Sequence, residues 1–438
     1  MLGYGLFLLV TGVLLVRPMD LHPSLYEVPL YEMLIIPCIL ASLGRLVDEL
    51  SPLRLVNTPP TVCLLGFWTM ILLSALANGL PEVALNFGII EYSKVLLFYL
   101  LLLSVITTPK RLRGLMATIV IYNVIATGIA VLHYHGYLTI EAVRIHELKD
   151  ESQIDMTTGT PVTLRRMAGT GMFSDPNDLC ENVAVALTLG MGFLLDRRRG
   201  ARRFLWMVPL AFLAYAGTLT HSRGGLLATM VGLVGLVQAR LRRSKAVLLS
   251  AVLVLLVLGV VGGRQRSISF ESGTGKSRLE LWADSLFLVR SSPLFGVGPN
   301  QFVEYEGHVA HNAFVEAYAD LGLPGGTLYF GIYYYVLSLL WRLGSPRHRP
   351  ADPELTQLLE SAFAALAAYT AAEMSLTHPY NVATMAYLGM GMAAIRMTQP
   401  EPPLPGSRFS LGLLARMAVF GLLFYGALVL FAKTKAHW

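Results

Sequence analysis

The sequence predicts an all-α fold, a polytopic membrane helix bundle of about 12–13 spans with an extracytoplasmic loop that contains short helices. Three observations carry this. Apolar residues make up 54% of the 438 and charged residues only 14%, where soluble proteins carry about 25% charged residues. Apolar runs close to the ~20 residues that cross a bilayer recur along the whole chain. Clusters of Lys and Arg alternate with loops poor in positive charge, as cytoplasmic and outer loops do. The formal charge of +6 belongs to those clusters, so it gives no argument for nucleic acid as a partner.

In chain order, spans are expected near residues 2–17, 29–45, 61–78, 86–106, 114–134, 177–195, 204–220, 224–240, 245–262, 324–342, 356–376, 381–397 and 409–432. They divide the chain into N-terminal helices (1–134), central helices (135–262), an outer loop (263–323) and C-terminal helices (324–438). The first run has almost no basic residues ahead of it and no small-residue cleavage site before Arg17, so it is expected to stay as a span. Cys38, Cys63 and Cys180 all lie in apolar runs, which supports neither a disulfide framework nor a metal knuckle.

Orientation follows from the basic runs Lys110-Arg111-Arg113, Arg197 to Arg203, Arg240 to Lys245 and Arg342 to Arg349, which are expected to be cytoplasmic. The opposite face then receives segments 18–28, 79–85, 135–176, 220–223, 263–323 and 377–380. Arg165, Arg166, Arg223, Arg278, His311 and His378 all fall on that outer face. Positive charge there runs against the usual bias, and a shared anionic ligand would account for it.

Several segments prepare that face. In Phe173-Ser174-Asp175-Pro176-Asn177-Asp178, Asp175 suits an N-cap and Pro176 the first helical position. Asp178 follows in the first turn, and Glu181 and Asn182 bring polar groups to membrane depth, where they are costly. Thr220-His221-Ser222-Arg223-Gly224-Gly225 is a tight turn that puts Arg223 at a helix start, a place that favours anions. Arg is suited to bidentate phosphate contacts, although Arg223 could equally snorkel to lipid headgroups. Leu279, Trp282, Ala283, Leu286 and Phe287 recur with helical spacing, so residues 277–291 are expected to form a helix in the interface plane. Arg278 lies one turn before Trp282 and faces the same two readings.

Gly275-Lys276-Ser277 ends like a phosphate-binding loop, but Phe270 stands where its first glycine belongs and no strand precedes it, so nucleotide binding is rejected. Pro293 to Gly298 reads as a turn. Asn312 suits the cap of a short helix running to about Leu321, with Gly322 past its end and Pro324 as a stop. His311 therefore opens that helix. A lone histidine is usually an ordinary surface or packed residue, but one beside two arginines can stay neutral near pH 7 and act as a general base.

His311-Asn312-Ala313-Phe314 running into Gly322-Leu323-Pro324-Gly325 resembles the signature of the O-antigen ligase and Wzy-type polymerase superfamily. Gly296-Val297-Gly298, Arg278 with Trp282, Phe173 to Asp178 and Ser222-Arg223-Gly224 fit the same pattern, over roughly residues 165–325. The resemblance implies a polytopic glycosyltransferase that takes a glycan from undecaprenyl diphosphate at the outer leaflet and passes it to an acceptor sugar hydroxyl. It implies no cofactor, metal or nucleotide sugar, membrane lipids as surroundings, and the bacterial inner membrane as location. Carried onto this chain, Arg223 and Arg278 would hold the diphosphate and His311 would be the base. Arg165, Arg166, Asp178, Asn312 and His378 would support them. The outer loop is short for a ligase, which leaves the acceptor open.

Other polar residues have plainer accounts. Glu91 and Lys94 stand one turn apart and are expected to pair. His133 and His135 have no third ligand at metal spacing. A secondary transporter using Glu91, Glu181 or Glu373 as proton carriers is the alternative function. It would call for internal repeats, which the sequence does not show.

Overall fold

A computed structural model of the chain describes residues 1–154, 161–241, 244–260, 274–398 and 403–435. The main helices are α1 (Leu2–Val16), α2 (Leu30–Glu49), α3 (Pro59–Ala77), α4 (Tyr92–Val105), α5 (Pro109–Tyr134), α6 (Pro176–Leu194), α7 (Met207–Leu219), α8 (Arg223–Leu241), α9 (Ser244–Val260), α10 (Thr274–Ser291), α11 (Ala313–Leu343), α12 (Pro353–Glu373), α13 (Val382–Thr398) and α14 (Leu411–Lys435). Each expected span coincides with one of them, and α10 is the additional helix expected in the outer loop. Among the described residues, seven helical stretches are long and apolar enough to cross a membrane: Leu2–Asp20, Pro23–Glu49, Pro59–Ala77, Pro81–Val105, Pro109–Tyr134, Arg223–Leu241 and Leu411–Lys435. The others fall short for local reasons. α7 has 13 residues, about 20 Å at 1.5 Å each, and α6 carries Asp178, Glu181 and Asn182 in its first turns.

The chain forms two compact units. The first comprises Met1–Leu43, Val105–Ile268 and Leu340–Ala372. In it α8 packs against α6 and α9, and α5 against α1. Its basic runs gather with acids, of which Asp196 and Glu360 are buried. Arg113 bonds Asp196 at 3.2 Å and Glu354 at 2.5 Å, Arg198 bonds Asp196 at 2.8 Å, and Arg349 bonds Glu360 at 3.1 Å. Arg242 and Arg243 lie outside the described residues. The unit also holds a feature absent from the sequence reading, an antiparallel hairpin of β1 (His146–Ile154) and β2 (Pro161–Arg166), with His146 opposite Arg166. The Met167 amide donates to the Leu219 carbonyl at 2.9 Å and the Tyr134 hydroxyl to the Arg165 carbonyl at 3.1 Å. The hairpin is thus moored to the ends of α7 and α5 that lead away from the basic runs.

The second unit comprises Gly44–Ser104, Ser269–Leu339 and Glu373–Trp438. Residues 261–273, the start of the expected outer loop and the Phe270 position, lie outside the described residues. α11 breaks at Gly322, whose φ of 68° divides a short helix from the span that follows Pro324, as the sequence suggests. Most of the apolar stripe on α10 has protein partners. Leu279 and Ala283 pack with Ala432, while Leu286 packs with Tyr318, Tyr425 and Val429. Phe287, expected in that stripe, is 60% exposed. A π-helical stretch over Ala84–Glu91 precedes α4, and Glu91 and Lys94 are both exposed. Two groups of contacts mark opposite ends of this unit. The Phe409 amide meets the Val56 carbonyl at 2.7 Å and Arg396 bonds Glu49 at 2.7 Å. At the far end of α3, Asn78 donates to the Gly296 carbonyl at 3.1 Å and the Ser74 hydroxyl to the Asp320 carbonyl at 2.8 Å.

Candidate functional site

The residues singled out by sequence fall into two groups, one in each unit. In the first, Asp175 caps α6 through its side chain, accepting from the Asn177 amide at 2.7 Å, with Pro176 at the first helical position. Asn177 Oδ1 is an acceptor for two groups, the Arg166 guanidinium and the Ser222 hydroxyl, both at 2.8 Å. Arg166 also donates through Nε to the Thr220 carbonyl at 2.8 Å. Strand, helix start and turn are thereby joined immediately before Arg223, the first residue of α8. Burial pulls the Arg166 guanidinium below its ordinary range, and the charge of Asp175 opposes this. Asp178 is half-buried in the first turn of α6, with its carbonyl accepting from Asn182 at 3.1 Å.

Successive residues of a strand point to opposite faces, so Arg165 turns away from Arg166. It is exposed, its guanidinium lies 5.4 Å from the Tyr134 ring centre, and it lines a cavity of about 360 Å³ with His133, Tyr134 and His135. His133 Nδ1 accepts from the Ile140 amide at 3.1 Å and His135 Nε2 meets the Tyr215 hydroxyl at 2.7 Å. The two histidines have structural partners of their own.

In the second unit, α10 reaches the His311 segment through Trp282, whose indole N–H donates to the Ala310 carbonyl at 2.9 Å. Arg278 is one turn earlier on the same helix and half-buried. Asn312 caps the short helix as expected, its Oδ1 accepting from the amides of Phe314 and Val315 at 3.1 Å each. Between Ala310 and Asn312, His311 adopts a φ of 50°. That left-handed conformation costs a residue with a Cβ about 1–2 kcal/mol, and it persists only where surrounding contacts enforce it.

Two acids on the short helix were not anticipated. Glu316, 5% exposed, accepts from the Ala310 amide at 3.3 Å. Burial pushes its carboxyl up to about 7; the Ala310 amide and the charge of His378 pull the other way, and Glu373 adds to the rise. Asp320, fully buried, accepts from the amides of Asn300 at 2.8 Å and Phe302 at 3.1 Å, and from the Tyr380 hydroxyl at 2.9 Å. Burial, followed by the charge of Glu316, pushes the Asp320 carboxyl well above the ordinary range, against those donors. Tyr380 is set by the rings of Phe67, Phe87 and Tyr92. Its neighbour His378 accepts at its carbonyl from Thr384 at 3.1 Å.

Asp320 anchors the Gly296-Val297-Gly298 turn. Val297 and Gly298 donate to the carbonyls of Ala319 and Asp320 at 3.0 Å each. Gly296, at φ 65°, comes so close that a Cβ would sit 2.4 Å from the Asp320 carbonyl carbon, so only glycine fits. The sequence signal for Glu316 and Asp320 was present but unused: two carboxylates in an otherwise apolar helix, where each is costly to bury unless bonded.

This second group offers a half-buried imidazole on a strained, tethered backbone with an arginine one helical turn from the tether, a combination suited to proton abstraction beside an anionic group. Residues 208–330 match the family model described as O-antigen ligase. A search of curated proteins gives no match. The family match supports the superfamily resemblance seen in the motifs. With the apolar helices, it supports a multi-pass membrane enzyme of O-antigen ligase or polymerase type.

Proposed function

We propose that the chain transfers a glycan from undecaprenyl diphosphate to a sugar hydroxyl of an acceptor, at the outer face of the bacterial inner membrane. The observation that carries this reading is that Arg223, Arg278 and His311 all fall inside the matched segment 208–330. His311 takes the proton of the acceptor hydroxyl. The oxygen attacks the anomeric carbon from the face opposite the diphosphate, the bond to the diphosphate breaks, and the configuration inverts. The leaving diphosphate gains charge as that bond opens. Arg223 and Arg278 lower the barrier by meeting charge that is larger in the transition state than in the ground state. In this reading Arg166 and Asn312 hold the segments that present these residues. Asp178 lies beside Asn177 in the first turn of α6 and His378 acts through its charge on Glu316, whereas Arg165 lines a separate cavity. The reaction calls for no metal and no nucleotide sugar.

The test is the glycan extracted from a deletion strain complemented with wild type, His311→Ala, Arg223→Ala or Arg278→Ala at equal protein levels. Loss of one arginine should lower transfer by about 10²–10³, and loss of the base by about 10²–10⁴. Near-wild-type glycan in all three would defeat the assignment. In the deletion strain, single repeats attached to acceptor without long chains mean a polymerase, and unattached long chains mean a ligase.

A further inference from the structure

We propose that Glu316 is a positioning residue for His311: its buried carboxyl holds the Ala310 amide while the Trp282 indole holds the Ala310 carbonyl, and these two ties fix the backbone that aims the imidazole. The proposal rests on the role of His311 given above. Three observations support it. Ala310 is fully buried and bonded at both its N–H, at 3.3 Å, and its C=O, at 2.9 Å, by side chains from two different helices. The next residue, His311, carries the left-handed φ of 50°, so the ties sit where the chain would otherwise relax. On the other side Asn312 is locked by its two cap bonds.

Packing alone does not call for an acid at position 316. Burying a carboxyl is unfavourable without a bonded partner, and an apolar side chain would fill the same space. The charge environment of Glu316 comes from His378 and Glu373, and Asp320 follows one turn later on its own helix. A carboxyl that accepts from one peptide N–H adjoining the base controls direction rather than chemistry, and a misplacement of the order of 1 Å can cost about 10²-fold in rate.

The experiment uses the purified full chain. Transfer rate is measured with membranes of the deletion strain as the source of donor and acceptor. Affinity for undecaprenyl diphosphate and the melting temperature are measured on the same samples. Glu316→Ala should lower the rate by about 10–100-fold with undecaprenyl diphosphate affinity within about twofold of wild type. Glu316→Gln, whose amide oxygen can accept the same N–H, should restore the rate to within about threefold. Trp282→Phe removes the second tie and leaves the acid in place, and should lower the rate by about fivefold or more with unchanged affinity. A Glu316→Ala rate within twofold of wild type overturns the proposal. So does a Gln variant as slow as Ala at an unchanged melting temperature, a parallel loss of affinity and rate, or, where Glu316→Ala does not fold, an unimpaired Trp282→Phe. His311→Ala is run alongside. Full activity there sinks the reading of His311 itself and so separates the two failures.

Discussion

Replacing Asp320 with alanine should unfold the Gly296-Val297-Gly298 turn of the second unit before it affects anything else. The carboxyl accepts from two peptide N–H groups and one hydroxyl, at 2.8, 3.1 and 2.9 Å, with no solvent exposure. Removing it leaves one buried donor, the Phe302 amide, and two part-buried ones, the Asn300 amide and the Tyr380 hydroxyl, without their acceptor, at about 1–3 kcal/mol each. Relief from burying the acid offsets part of this, so the net loss is about 3 kcal/mol at the low end. Asn300 adds to the effect, because its φ of 59° is held through the amide that Asp320 accepts. A loss of that size lowers the melting temperature by roughly 6–12 °C, measured by intrinsic fluorescence in detergent. Tyr380→Phe removes only one donor and should cost about 1 kcal/mol. The double variant should fall short of the sum, because the two side chains share one bond. An Asp320→Ala protein melting within 1 °C of wild type, or a double variant whose loss is fully additive, would refute the reasoning.

Gly296→Ala should lose at least about 2–3 kcal/mol, from the left-handed backbone and from a methyl pressed on peptide atoms that cannot yield. Gly307→Ala shares the positive φ, at 70°, but has open space around it, and should cost only about 1–2 kcal/mol. Paired melting curves check the difference. Glu316 predicts a pH effect. An acid whose folded pKa is raised leaves stability intact below its unfolded value of 4.5 and removes it as pH climbs to about 7. At about 1.4 kcal/mol per pH unit the loss is about 3–4 kcal/mol. Relative to Glu316→Gln, wild type should therefore melt lower at pH 8 than at pH 5. A gap that does not change with pH would count against this.

The spans were legible because their signal is local: runs of apolar residues with helix-stopping turns between them. Local chemistry also revealed the Asp175 and Asn312 caps, the Arg223 helix start and the Gly322 break. What escaped depends on contacts between residues far apart in sequence. Ser74 meets the Asp320 carbonyl across 246 positions, and nothing near either residue announces it. The hairpin escaped because His146–Ile154 is mostly charged and polar and lacks the apolar alternation that marks a strand. The partner of the α10 stripe could not be read from sequence, because a stripe of large apolar residues satisfies a lipid surface and a packed helix equally well, and here α14 takes most of it. The strain at His311 could not be read at all, since it is imposed by Trp282, Glu316 and Asn312 together.

The most direct test of the central claim is the identity of the lipid released. Purified chain, given lipid-linked glycan and acceptor with a chelator and no nucleotide sugar, should release undecaprenyl diphosphate in step with glycan transferred, and His311→Ala should release almost none. Release of the monophosphate, or transfer that proceeds equally well without His311, would contradict the account.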